Sequence, residues 1–119
     1  DIISIDGGST DSGPASLGSG TSKYSRAAIK SEWKVLMKAR EGLGIPLVIG
    51  SCGTCGTNSM VDWMETITIE LAEELGQSLK ITKLYCEQDN EFIKKNFLSN
   101  KLYPLDPAPF LDSKIIMSM

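Results

Sequence analysis

Two rhythms of apolar residues run along the chain. Ile2, Ile3 and Ile5, and later Ile45, Leu47, Val48 and Ile49, form short, nearly continuous runs that end in Gly and Asp. Such runs predict strands buried on both faces of a parallel sheet. Pro46 stands at the start of the second run, where a missing donor costs least. Elsewhere the period is helical. Ile29, Trp33, Leu36 and Met37 share one face over residues 25 to 41, with Lys30, Lys34, Lys38 and Glu41 on the others; Ser25 caps this helix, and Gly42 and Gly44 stop it. Met60, Met64, Ile67, Leu71 and Leu75 mark the clearest helix, its stripe widened by Val61, Thr68 and Ala72. Asn58 or Ser59 caps its start and Gly76 its end.

Beyond Gly76 the pattern predicts a third strand over 79 to 86 and a helix begun by Asp89 or Asn90 that carries Phe92, Ile93 and Phe97. A short fourth strand follows over 101 to 105, then irregular chain over 106 to 109 and a helix capped by Asp112 or Ser113. Residues 7 to 25 are Gly, Ser, Thr, Pro and Asp in the main, and Pro14 with Gly18-Ser19-Gly20 argues against regular structure there. Strands alternating with helices, without hairpin turns, point to an α/β fold: a three-layer, Rossmann-like sandwich with a mainly parallel sheet. Residues 1–119 read as a single α/β domain or as the N-terminal part of a larger one. A strand at the first residues and a helix in its opening turns at the last favour a piece of a longer protein.

Composition narrows the chemistry. With 41% hydrophobic and 23% charged residues the chain has a globular balance, and a net charge of -3 without a basic face argues against nucleic acid. No apolar run is long enough to span a bilayer and no start resembles a signal peptide, so a soluble, cytoplasmic protein is expected. The 3 cysteines are an odd number, two of them in a glycine-rich turn, which suits thiols in a reducing compartment better than a disulfide framework. There are 0 histidines, so acid and base work falls to Asp, Glu, Lys, Tyr or Cys.

In an open parallel sheet the ligand crevice lies beyond the carboxyl ends of the strands. Three polar clusters fall at such ends: Asp6-Gly7-Gly8-Ser9-Thr10-Asp11, the stretch 50 to 58, and Glu87-Gln88-Asp89. Gly50, Gly53 and Gly56, between a strand and a helix, suit an anion cradle of backbone N–H groups, with Ser51, Thr54 and Asn58 beside them. The spacing is neither a dinucleotide fingerprint nor a P-loop, and a tight turn that needs small residues for packing is the plainer alternative. Asp6 and Asp11, with the hydroxyls of Ser9 and Thr10, offer oxygen ligands for a cation or a carboxylate for proton transfer, against the alternative of side chains capping a turn. Glu87 is a further candidate acid or base, and Asp89 reads as a plain helix cap. Cys52-Gly53-Thr54-Cys55 at a helix start suggests a low-pKa dithiol, but the surroundings lack other thioredoxin-like marks, and small buried residues in a turn are the simpler account. A metal held by these thiols with Cys86 lacks a fourth ligand, and neither a metal nor a cofactor is specified by the sequence.

Taken together, Asp6-Gly7-Gly8-Ser9-Thr10-Asp11-Ser12-Gly13-Pro14, Leu17-Gly18-Ser19-Gly20, Ile45-Pro46-Leu47-Val48-Ile49-Gly50-Ser51-Cys52-Gly53 and Glu87-Gln88-Asp89 resemble the acyclic terpene utilisation (AtuA-like) family in order and spacing, over nearly the whole chain. The resemblance implies a strand and turn before Asp1 and several hundred residues after Met119. It also implies a setting in the breakdown of branched acids, often as acyl-CoA thioesters. It carries Asp6, Ser9, Thr10, Asp11, Ser51, Gly53, Gly56 and Glu87 over as site-lining positions. The chain departs from the family at Cys52, Cys55 and Cys86, which marks the thiols as local variation. The expectation is a catabolic enzyme or enzyme subunit acting on a small carboxylate or acyl-CoA by a hydratase or lyase reaction, with Asp11, Glu87 or Asp6 moving the proton. The alternatives are a non-catalytic binding or assembly subunit and a dithiol redox module. The partners expected are a small anionic or CoA-linked metabolite and a further protein chain or a second copy, with no nucleic acid and no membrane.

Overall fold

The computed structural model describes residues 1–8 and 15–119, and the chain divides into two compact units, Asp1–Cys86 and Glu87–Met119. In the first unit β1 (Ile3–Gly8) and β2 (Leu47–Thr54) form a two-stranded parallel sheet, with α1 (Ala15–Ser19) and α2 (Arg26–Leu43) between them and α3 (Asn58–Leu75) after. The fold is thus mixed α/β with parallel pairing. The register sets Ile3 beside Leu47, Ile5 beside Ile49 and Asp6 beside Gly50, then slips so that Gly8 meets Thr54.

Both long helices form where the apolar period placed them. The Ser25 hydroxyl accepts from Ala28 N and so caps α2, while Gly44 and Gly76, each at φ 64°, end α2 and α3 in the left-handed conformation that glycine adopts without strain. Their inner faces supply the core: Trp33 and Met37 from α2 and Met64, Ile67 and Leu71 from α3, with Ile5, Leu47 and Ile49 of the sheet packed against them. Ile67 and Leu71 are fully enclosed.

Coverage of the sheet differs from the sequence expectation. α2 and α3 cover one face only; on the other face Ser4, Asp6 and Gly50 are exposed and Val48 remains 48% exposed. The strands are therefore half-buried rather than buried on both faces. An unbroken apolar run marks what a strand would tolerate on both faces, and covering the second face takes elements that do not pack there among the described residues.

Five local expectations are also corrected. β1 runs on through Asp6-Gly7-Gly8, and β2 runs on to Thr54, so both glycine stretches begin as paired strand. Residues 15 to 19, read as loop, form the short helix α1. Residues 79 to 86 and 101 to 105 join no ladder: the expected third and fourth strands are irregular. The second unit holds α4 (Asn90–Leu98), capped by the Asp89 carboxylate, which accepts from Glu91 N and Phe92 N, and α5 (Ser113–Ser118), capped by Asp112. Neither of these helices buries a side chain.

Outside the core, α2 and α3 are laced by charge. The Arg26 guanidinium spans both oxygens of Glu70 at 2.9 and 2.6 Å, Lys30 bridges Glu70 and Glu74 at 2.9 and 2.6 Å, and Lys34 reaches Glu74 at 2.9 Å. These contacts pull the Glu70 carboxyl down to about 2, the Arg26 hydrogen bond first among them.

Candidate functional site

The carboxyl ends of β1 and β2 lie side by side, which brings two of the three polar clusters together. Asp6 pairs in register with Gly50, and its exposed carboxylate accepts from Gly8 N at 2.8 Å. The close approach explains the double glycine: a Cβ on Gly7 would sit 2.9 Å from Ile49 Cδ1, and one on Gly8 would sit 2.8 Å from Ser51 Cβ. Ser51 is exposed beside them. Asp6, Gly50 and Ser51 therefore form an open polar ledge at the end of the sheet.

The chain leaves β2 through an unusual bend. Ser51, Gly53, Thr54 and Gly56 all have positive φ, at 51°, 60°, 75° and 67°. For Ser and Thr this region costs about 1–2 kcal/mol each, so the surrounding packing holds the bend against local preference. Gly53 faces inward, where a Cβ would meet Met60 Sδ at 2.6 Å, and Gly56 lies on the Ser51 backbone, 3.3 Å from its Cα. Gly56 N donates to Cys52 O at 2.9 Å. Gly53 thus makes room for Met60 of α3, and Gly56 for the Ser51 backbone of β2.

Thr54 also turns inward. It is buried, and its Oγ1 accepts from Lys23 N at 3.2 Å, which ties the segment before α2 to the end of β2. Asn58 opens α3 after Thr57, a residue whose side chain makes no capping bond. Glu87 belongs to the second unit, whereas Asp6, Ser51, Gly53, Thr54, Gly56 and Asn58 belong to the first. Ser9, Thr10 and Asp11 lie outside the described residues.

Two side chains not singled out in the sequence share a cavity with Asp6. A cavity of about 320 Å³ is lined by Asp6, Gly7, Gly8, Tyr24, Glu32 and Trp33, among others. Glu32 precedes buried Trp33 and follows Ile29 by three positions, so it borders the apolar stripe of α2. That helical position was the available signal, and Tyr24, just before the Ser25 cap, carried none.

Cys52 and Cys55 take the packing role, whereas Cys86 is exposed. Cys52 and Cys55 are buried, no disulfide forms among the three cysteines, and no cluster of metal-ligating side chains occurs among the described residues. Burial pushes the Cys52 thiol up, against the lowered value that a reactive dithiol needs. The most strongly perturbed groups lie elsewhere. Lys83 contacts Glu65 at 2.7 Å and Asp62 at 2.9 Å, and Tyr85 donates to Asp62. The Lys83 ammonium is held well above the usual lysine range by Glu65 first and then by Tyr85 and Asp62; Asp62 is held down by Tyr85 first and then by Lys83. No helix among the described residues is long and apolar enough to cross a membrane. Comparison with protein-family profiles, with curated proteins and with solved structures found no match.

Proposed function

We propose that the chain is a catabolic enzyme or enzyme subunit of the AtuA-like kind, acting in the cytoplasm on a small carboxylate or acyl-CoA by adding or removing water at a carbon activated by the carbonyl. The observation that carries this reading is the ledge at the paired strand ends: an exposed Asp6 carboxylate beside Gly50 and Ser51, opening on a cavity of about 320 Å³. Carboxyl ends of parallel strands are where α/β folds gather ligands. In the proposed reaction a carboxylate among Asp6, Asp11 and Glu87 takes the α-proton in the elimination direction, and the hydroxyl leaves as water with a proton from a second acid. Backbone N–H groups about the start of α3, with the hydroxyls of Ser9, Thr10 and Ser51, hold the negative charge that builds on the carbonyl oxygen.

The same proposal takes the sheet to be part of a three-layer sandwich, because its uncovered face presents Ile2 and Val48, 57% and 48% exposed. It also includes association with a further chain or a second copy.

The test is turnover of an α,β-unsaturated acyl-CoA by the complete protein and by Asp6→Asn, Asp11→Asn and Glu87→Gln. Loss of a general acid or base lowers kcat by roughly 10²–10⁴-fold, and unchanged turnover in all three variants would sink the catalytic reading. That outcome would leave the second reading, an assembly subunit. The apolar surface of the second unit favours it, with Phe110, Leu105 and Tyr103 exposed by 94%, 87% and 78%.

A further inference from the structure

The outer edge of β2 and the chain after α3 face each other across an apolar gap. Ile3 N donates to Pro46 O, so Pro46 and Val48 turn their peptide groups to β1, and by strand alternation Leu47 and Ile49 turn theirs to the open edge. Across from that edge, residues 78 to 85 make no backbone–backbone hydrogen bond among the described residues. Between the two lies a cavity of about 600 Å³, lined by Leu47, Val48 and Ile49 on one side and by Leu79, Ile81 and Leu84 on the other. Two rows of unpaired backbone groups facing one another are the halves of a ladder, and each row meets its hydrogen-bonding requirement through solvent while they stand apart.

Direction and handedness agree with pairing. Cys86 Sγ lies 3.9 Å from Gly56 O, just beyond the last residue of β2, so the far end of the segment already reaches the carboxyl end of that strand. α2 and α3 pack on the same face of the sheet. Right-handed crossovers on one face advance in one direction, so the strand that follows α3 is delivered to the free edge of β2. What holds the segment off is α3 itself: Lys83 is bound by Asp62 and Glu65, and Tyr85 by Asp62.

We infer that residues 78 to 85 are a strap that closes on β2 as a third parallel strand, and that the contacts of Lys83 and Tyr85 with α3 are the latch that keeps it open. Closure joins the two rows of backbone groups and removes Leu47, Ile49, Leu79 and Ile81 from the solvent of the gap. The open state keeps a cavity of about 600 Å³ along the sheet edge, and the closed state abolishes it.

Amide hydrogen exchange on the full chain tests the strap. Releasing the latch in the double variant Asp62→Ala, Glu65→Ala is expected to slow exchange at 79 to 85, and at Leu47 and Ile49 with them, by roughly tenfold or more. Lys83→Met with Tyr85→Phe releases both contacts of the latch from the other side and leaves α3 untouched, so it decides the matter if the double variant fails to fold. Adding Ile81→Pro and Thr82→Pro together to either variant removes a donor from the closed ladder in either register and is expected to reverse the slowing at both segments. The strap is overturned if exchange at 79 to 85 stays the same or quickens on release, or if it slows without Leu47 and Ile49. Slowing that scales with protein concentration also overturns it, because a second copy is then pairing with the edge.

Discussion

Glycine carries opposite meanings at positions 50 and 53. At Gly53 the left-handed φ of 60° coincides with a crowded site in which a Cβ would lie 2.6 Å from Met60 Sδ; at Gly50 a Cβ would meet nothing within 4 Å. Gly53→Ala is therefore expected to cost about 2 kcal/mol or more, from αL strain and overpacking together. Gly50→Ala is expected to stay within about 0.5 kcal/mol of the parent. Urea unfolding midpoints of the two variants measure the difference, and equal shifts would show that the bend after β2 relaxes freely. The sequence shows three evenly spaced glycines and no means of telling them apart. Which one faces α3 and which faces solvent follows from how the helix is laid on the sheet. The same holds for Thr54, read as a ligand-facing hydroxyl and found accepting from Lys23 N in a buried position. Asp6 lies within β1, and its exposure follows from the uncovered face of the sheet rather than from the end of the strand.

Among the elements, the long helices were legible to within a few residues, since apolar stripes and most caps are local properties. However, α1 was read as loop, Gly42 lies within α2, and α3 takes Thr57 as its N-cap in place of Asn58 or Ser59. Ser25, Asp89, Gly44 and Gly76 act at the ends where the sequence placed them. What the stripe leaves out is the outer contact between α2 and α3, the ladder of Arg26, Lys30 and Lys34 with Glu70 and Glu74. Glu70 has its folded value pulled down to about 2 from an ordinary 4.5. A carboxyl depressed on folding contributes stability that is present above the unfolded value and is lost as pH falls from there through the folded value. Glu70→Gln is thus expected to lower Tm at neutral pH, with the gap to the parent narrowing between about pH 4.5 and 2. The ladder is solvent-exposed, so added salt is expected to shrink the neutral-pH gap as well. Thermal melts across pH and salt check both, and a gap that persists below pH 2 would show that Glu70 acts through packing instead. The strands were legible only in part: 79 to 85 has the composition of a strand but joins no ladder among the described residues, and pairing is a relation between two segments.

Across the whole molecule, burial is concentrated in one place. Trp33, Met37, Met64, Ile67 and Leu71 form the core of the first unit, while α4 and α5 of the second bury no side chain. Amides of α3 are accordingly expected to exchange slowest and those of α5 fastest. Leu71→Ala, which empties a fully enclosed position, is expected to cost about 2–5 kcal/mol. Exchange rates and the unfolding midpoint of that variant measure both, and protection of α5 equal to that of α3 would show a second core in the other unit. By itself the sequence determined the class of the fold, the span of the helices and the polarity of the strand ends. Caps, stripes and apolar runs act over a few residues and need no partner to be read. The tertiary structure alone decided that the helices share one face of the sheet, that Gly53 and Thr54 turn inward, and that Asp6 and Ser51 meet in the open. Each of these depends on which segments, distant along the chain, come within reach of one another, and that is settled by how α2 and α3 are laid on the paired strands.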